Sequence, residues 1–186
     1  MGKTYTEIDD RLRSFMARQH VFFVASAPTG PGGHVNCSPK GLDTFRILGP
    51  TRVAYLDFVG SGVETIAHLR QNGRVVIMFC AFEGPPNIVR LYGRGVVVEP
   101  RDPEFSRLLA SFDAKPGVRA IVRVDLTRIG DSCGYGVPLL RYEGERPQMG
   151  EWAERKGEAG LETYQREKNA VSLDGLPGLR WTEATD

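Results

Sequence analysis

Long apolar runs are missing from this chain of 186 residues. The longest, Val75 to Phe82, has eight residues, and a membrane-spanning helix needs about 20. A helical membrane protein is excluded on that ground, and no membrane partner is expected. The first residues, MGKTYTEIDD, lack the apolar stretch of a secretory signal, so a cytoplasmic location is the expectation. Cysteine is scarce. The three residues, Cys37, Cys80 and Cys133, are spaced too widely for a metal or redox pair and read as free thiols. His20, His34 and His68 show no HxxxH spacing and imply no metal. A surplus of either charge is missing too. With 24 basic and 23 acidic residues and a net charge of +1, nothing asks for nucleic acid as a partner. Lysine is rare beside arginine, 5 against 19, a bias that suits bidentate anion contacts and also follows from a GC-rich genome.

Glycine and proline are plentiful, 22 and 12, as in folds of many short strands and turns. Thr6 to Gln19 places Ile8, Leu12, Phe15 and Met16 at helical spacing, with Thr6 as the N-cap. His20 to Ala27 reads as a strand. Pro28-Thr29-Gly30-Pro31-Gly32-Gly33 breaks it before a second strand, His34 to Ser38, which Pro39-Lys40-Gly41 ends. Phe45 to Leu48 and Arg52 to Phe58 flank the turn Gly49-Pro50. Gly60-Ser61-Gly62 opens a helix from Val63 to Gln71, stopped by Asn72-Gly73. Arg74 to Phe82 is too apolar to alternate and predicts a strand buried on both faces. Ile88 to Val98 is a long strand with Gly93 and Gly95 at a bend or bulge. Phe105, Leu108, Leu109 and Phe112 mark a helix begun at Asp102, and Arg119 to Ile129 alternates as a further strand. Beyond residue 130 the chain becomes turn-rich and charged, with a helix from about Met149 to Lys168 and a tail at Asp174 to Gly178. Six or seven strands with few interposed helices exclude a doubly wound parallel sheet and predict a small antiparallel barrel with peripheral helices.

The segments Asn36-Cys37-Ser38-Pro39-Lys40-Gly41, Leu56-Asp57-Phe58-Val59-Gly60-Ser61-Gly62-Val63-Glu64-Thr65 and Asn72-Gly73-Arg74-Val75-Val76-Ile77-Met78-Phe79 occur in that order. Together they resemble the flavin-binding split-barrel family related to pyridoxamine 5'-phosphate oxidase, over about residues 7–130. Arg90-Leu91-Tyr92-Gly93-Arg94-Gly95 also looks like a family strand. The resemblance implies a mostly β fold, a six-stranded antiparallel split β-barrel with peripheral helices. It further implies an FMN cofactor and a homodimer with one FMN in each of two clefts between the subunits. Residues 1–130 would form the FMN-binding domain, and 131–186 a C-terminal extension packing on the barrel or the dimer partner. The implied ring contacts are Asn36, Cys37, Ser38 and Lys40. Asp57, Ser61, Gly62 and Thr65 belong to the turn and helix start that hold the phosphate, with charge from Lys40 or Arg90. Where the pyridoxamine phosphate oxidases proper open this helix with an Arg-Lys pair, this chain has Glu64 and Thr65, and Val35 stands at the first basic position of the preceding strand.

Taken alone, the residues leave alternatives open. Gly60-Ser61-Gly62 before a helix is a plain cap, or an anion site formed by free N–H groups with Ser61 and Thr65 as added donors. Lys40 is a solvated turn residue or a cavity contact. Cys37 reads as a small apolar strand residue rather than a nucleophile. No catalytic side chain is legible, and a flavoprotein needs none, because the cofactor carries the electrons. The expected activity is that of an FMN-dependent oxidoreductase acting on an unknown small-molecule substrate, with NAD(P)H as a candidate electron donor. The rivals are a deazaflavin-dependent reductase and a non-catalytic flavin- or haem-binding protein.

Overall fold

Apolar residues at every second position decide the architecture. The computed structural model describes residues 2–182, so 183–186, the end of the expected C-terminal extension, lie outside the described residues. The strands are β1 (Thr4–Tyr5), β2 (Phe22–Ser26), β3 (Asn36–Lys40), β4 (Phe45–Gly49), β5 (Arg52–Phe58), β6 (Arg74–Cys80), β7 (Ile88–Val98) and β8 (Val118–Ser132). The helices are α1 (Asp10–Ala17), α2 (Glu64–Asn72), α3 (Phe105–Leu109) and α4 (Gln148–Lys168). Every strand pair is antiparallel, in the order β3-β2-β6-β7-β8-β5-β4, with β1 added on β8. The fold is thus mostly antiparallel sheet with four peripheral helices. Its strands number eight rather than six, and β3 and β4 end the order without pairing to each other, so the sheet is not closed.

The sheet wraps one core that joins Phe22 and Val24 of β2, Val53 and Tyr55 of β5, Ile77 and Phe79 of β6, and Leu91 of β7. Leu12, Phe15 and Met16 of α1 pack into the same core. That helix starts later than its apolar spacing suggested. Asp9, not Thr6, is the N-cap, and its Oδ1 accepts the Leu12 N–H at 2.7 Å, where a carboxylate also suits the helix dipole. Strand β3 continues through Pro39 and Lys40 because it is an edge strand, where proline's missing donor faces no partner. Strand β6 alternates despite its apolar composition: Val75, Ile77 and Phe79 are buried, while Val76 and Met78 are only half-buried. Burial on both faces is therefore not found.

Two bulges shape the long strands. The register passes from Tyr92↔Arg128 to Gly93↔Leu126 between β7 and β8, as the glycines suggested. Between β5 and β8 it passes from Asp57↔Ala120 to Phe58↔Val118, which leaves Arg119 as the extra residue. Helix α2 sits tightly on β7, since a Cβ at Gly95 would meet the Leu69 side chain at 2.8 Å. Helix α4 reverses at Gly157 (φ 63°, ψ 172°), bringing Trp152 edge-on to Tyr164. Leu179 of the tail is buried against Val63, Ile66 and Ala120. Among the described residues no helix is long and apolar enough to cross a membrane.

Candidate functional site

Strand β3 sorts its side chains by parity. Its partners on β2 place Asn36 opposite Ser26, Ser38 opposite Val24 and Lys40 opposite Phe22, all buried residues, so the even positions face inward. They line a cavity of 380 Å³ together with Asp57 and Arg119, and with Gly62, Glu64 and Thr65 at the start of α2. Met149 of α4 also lines it. Six of the nine residues singled out from the sequence meet here: Asn36, Ser38, Lys40, Asp57, Gly62 and Thr65. Three do not. Cys37 is exposed on the opposite face of β3, Ser61 is exposed and is not among the lining residues, and Arg90 lies on β7, donating to Ser132 Oγ at 3.0 Å.

One wall is a polar layer between β3 and α2. The Asn36 amide donates to Thr65 Oγ1 at 2.9 Å and to Ser38 Oγ at 3.1 Å. Behind it, Ser26 Oγ and His68 Nδ1 are 3.0 Å apart. Burial lowers the His68 pKa, against the opposing pull of Asp174 and Glu64, which keeps the imidazole neutral.

The floor is an ionised trio. Asp57, 1% exposed, accepts from Lys40 Nζ at 2.7 Å on one oxygen and from Arg119 Nε at 2.8 Å on the other. Burial alone would raise the Asp57 pKa, but the charges of Arg119 and Lys40 and their hydrogen bonds outweigh it and lower it to about 2. Asp57 is consequently an anion with both oxygens engaged, unsuited to accept a proton from a ligand at neutral pH. Beneath it the Tyr55 hydroxyl is buried and without a hydrogen-bond partner among the described residues. Burial, with Asp57 nearby, raises its pKa well above the ordinary value although Arg119 opposes this. Arg119 was missed from the sequence because it stood at the edge of an alternating strand; the bulge turns it toward Asp57.

At the turn that opens α2 the Arg119 Nη1 donates to the Gly60 carbonyl at 3.4 Å. No side chain caps the helix at Val63. Glu64 folds back so that a Cβ on Gly62 would collide with its Oε2, and its Oε1 accepts the Leu173 N–H of the tail at 3.2 Å. The next residue, Asp174, accepts from the His34 backbone N–H at 2.9 Å and lies 2.6 Å from His34 Nδ1. A larger cavity of 870 Å³ lies elsewhere, lined by Phe15, Phe23, Phe82 and Tyr142 among others, and contains no such ionised trio. Among the described residues no group of three or more His, Cys, Asp and Glu residues is placed to hold a metal.

The 380 Å³ cavity thus offers an amide, hydroxyls and two cations along one side of a cleft, suited to the edge of a planar polar heterocycle. Comparison with known proteins bears on which one. A family model for pyridoxamine 5'-phosphate oxidase matches residues 8–133. The pyridoxamine 5'-phosphate oxidase family protein ustO of Aspergillus flavus is 43% identical over 194 aligned residues, covering 94% of this chain and 77% of that protein. Among solved structures, a point variant of HupZ from Group A Streptococcus has a TM-score of 0.53 at 17% identity, covering 67% of this chain and 99% of that one. A Lactobacillus delbrueckii protein described as a candidate pyridoxamine 5'-phosphate oxidase has a TM-score of 0.51 at 16% identity, covering 67% of this chain and 94% of that one. At those identities the structures speak for the fold, while the family model and the fungal relative speak for descent: the chain belongs to the pyridoxamine 5'-phosphate oxidase family.

Proposed function

We propose that the protein binds a flavin in the Asn36–Thr65 cavity and uses it for a two-electron oxidation or reduction of a small molecule in the cytoplasm. The observation that carries this reading is the inward row of Asn36, Ser38 and Lys40 facing the Asp57–Arg119 pair. These residues fit the polar edge of an isoalloxazine ring. Asn36 and Ser38 bring side chains that both donate and accept, and Lys40 and Arg119 bring positive charge. When bound, the flavin supplies the capacity to take up and release two electrons. The protein's own part is to orient the ring, exclude water beneath it and favour negative charge developing on it through the two cations. FMN is the flavin that family membership suggests, and a nicotinamide nucleotide is the proposed electron donor.

A second copy of the chain is proposed to complete the unit. The outer face of β2 and β6 carries Phe23 beside Met78 and Ala25 beside Val76, all half-buried in the single chain. An apolar patch of this kind is covered in a stable assembly. The test of the activity is a stopped assay in which flavin-loaded protein is mixed with NADH or NADPH and bleaching of the flavin is followed. Faster bleaching than free flavin shows supports an oxidoreductase. A bound flavin that no nicotinamide nucleotide reduces favours the binding protein instead.

A further inference from the structure

Residues 169–179 fold as a tight hairpin. Val171 bridges Pro177, the Ser172 N–H donates to the Leu176 carbonyl at 2.9 Å, and Gly175 turns the chain at φ 74°. The base is locked by Asn169, fully buried at the end of α4. Its carbonyl accepts the Leu179 N–H at 2.9 Å, and Gly178 passes so close to that carbonyl that a Cβ would collide with it. From base and tip the hairpin reaches both walls of the cavity. At the base the Asn169 amide donates to the Gly60 carbonyl at 2.8 Å, the same carbonyl that Arg119 Nη1 reaches at 3.4 Å. At the tip Glu64 Oε1 accepts the Leu173 N–H at 3.2 Å. Beside it the Asp174 carboxylate accepts the His34 N–H at 2.9 Å and meets His34 Nδ1 at 2.6 Å. Gly60 and Glu64 line the cavity at the start of α2, and His34 lies two residues before Asn36, where β3 begins. One hairpin thus ties together the two walls that the Asn36–Thr65 hydrogen bond joins from inside.

We infer that this hairpin is the outer brace of the cavity, and that Asn169 and Asp174 are positioning residues that hold β3 and the start of α2 at the spacing a flavin requires. The inference rests on the flavin reading of the cavity. Neither side chain lines the cavity; each acts through a residue that lines it or that leads into the strand that does. The Gly60 carbonyl takes its short bond from the tail, since Arg119 gives its Nε to Asp57 at 2.8 Å. Walls fixed before the ligand arrives reduce the ordering that binding would otherwise demand. The tail has a second anchor away from the cavity. The Arg180 N–H and Nε donate to Glu99 at 3.1 and 3.2 Å, and Glu99 is not among the lining residues.

Riboflavin titrations followed by fluorescence quenching, with hydrogen exchange of the same samples, test the brace at a temperature where circular dichroism shows every variant folded. Asn169→Ala and Asp174→Ala should each weaken riboflavin about tenfold, the worth of one hydrogen bond, and speed exchange of the amides at 60–65. Asp174→Asn keeps an oxygen for the His34 N–H and should stay within about threefold of wild type. Arg180→Gln loosens the tail at its other anchor; it should lower the unfolding temperature and leave riboflavin affinity within about threefold. Asn169→Ala and Asp174→Ala binding riboflavin like wild type, or Arg180→Gln weakening it as much as they do, overturns the positioning role while the flavin site stands. Wild type that quenches no flavin overturns the flavin reading. Faster exchange at 60–65 in Asn169→Ala but not in Arg180→Gln would then still establish the brace, and unchanged exchange would overturn it as well.

Discussion

Lys40 and Asp57 are bonded at 2.7 Å although their strands are not neighbours in the sheet. Lys40 ends β3, which lies at one edge, and Asp57 lies on β5, next to the strand at the other. The ion pair therefore spans the split that the backbone leaves open. Arg119 supports it from the side, held in place by a bulge on β8. The same three side chains that close the split also line the 380 Å³ cavity, so on the proposed flavin reading stability and binding are coupled at one point.

The first consequence is a large cost for removing the shared anion. Asp57→Asn or Asp57→Ala leaves two cations facing each other in a buried place, and breaking a buried pair in this way costs about 3–5 kcal/mol. Lys40→Met leaves the Arg119–Asp57 pair intact and should cost clearly less. Denaturant unfolding of the three variants checks this order. Equal stabilities for Asp57→Ala and wild type would contradict it.

A pH dependence follows from the same carboxyl. Its folded-state pKa, about 2, lies below the unfolded value near 3.9. The stabilisation is present above the unfolded value and is lost as pH falls from about 4 toward about 2, a change of roughly 2 kcal/mol. The difference in unfolding free energy between wild type and Asp57→Asn should shrink over that window and stay flat above pH ~5. A constant difference down to pH ~2 would place the proton on another group.

His68 gives a second, higher window. Its folded pKa is lowered by burial, so the neutral ring is the native form, and its stabilising share is lost as pH falls below the unfolded value near 6.5. His68→Gln, which keeps a polar partner for Ser26, should flatten the stability profile there. An unchanged profile would show that His68 accepts a proton in the native state without cost.

Parity on β3 predicts a contrast between neighbours. Asn36→Leu removes a polar side chain that lines the cavity and, through its amide, holds the Thr65 and Ser38 hydroxyls, and should weaken flavin binding about tenfold, the worth of one hydrogen bond. Cys37→Ser, on the opposite face, and Ser61→Ala should leave it unchanged. Equal losses at 36 and 37 would mean that the ligand lies along the edge of β3 rather than inside.

The outer face predicts an assembly. Phe23→Asp combined with Met78→Asp places two charges on adjacent strands of the half-buried apolar patch. Light scattering after size exclusion should then report a monomer where wild type gives a dimer. A wild-type monomer, or a charged variant that remains dimeric, would contradict this surface as the contact.

Much of the scaffold was legible because period and punctuation agree there. Ile88–Val98 has its predicted bounds, Arg52–Phe58 likewise, and Gly73 ends α2 with φ 69° as the Asn-Gly pair suggested. The misses have physical causes. Thr6 and Asp9 are both competent caps, and the approach of the chain to the β4–β5 turn, where the Ile8 N–H donates to the Pro50 carbonyl at 2.7 Å, helps to set where α1 begins. The composition of β6 hides its alternation, because the residues on its outer side are apolar as well. Within the site, the family-like segments led to Asn36, Ser38, Lys40, Asp57, Gly62 and Thr65. Arg119 depends on a bulge, a matter of pairing between distant strands that local pattern does not encode. Glu64 was noticed as a departure in sequence, but its return over Gly62 depends on a tail more than a hundred residues away, where Leu173 stands.

Visible absorbance tests whether a flavin is held between β3 and the start of α2. Riboflavin is titrated with wild-type protein and, in parallel, with Asn36→Leu, and the shift of the flavin bands is recorded. A saturable shift is expected with wild type and a weaker, right-shifted one with the variant. Bands that remain those of free flavin at every protein concentration would contradict it.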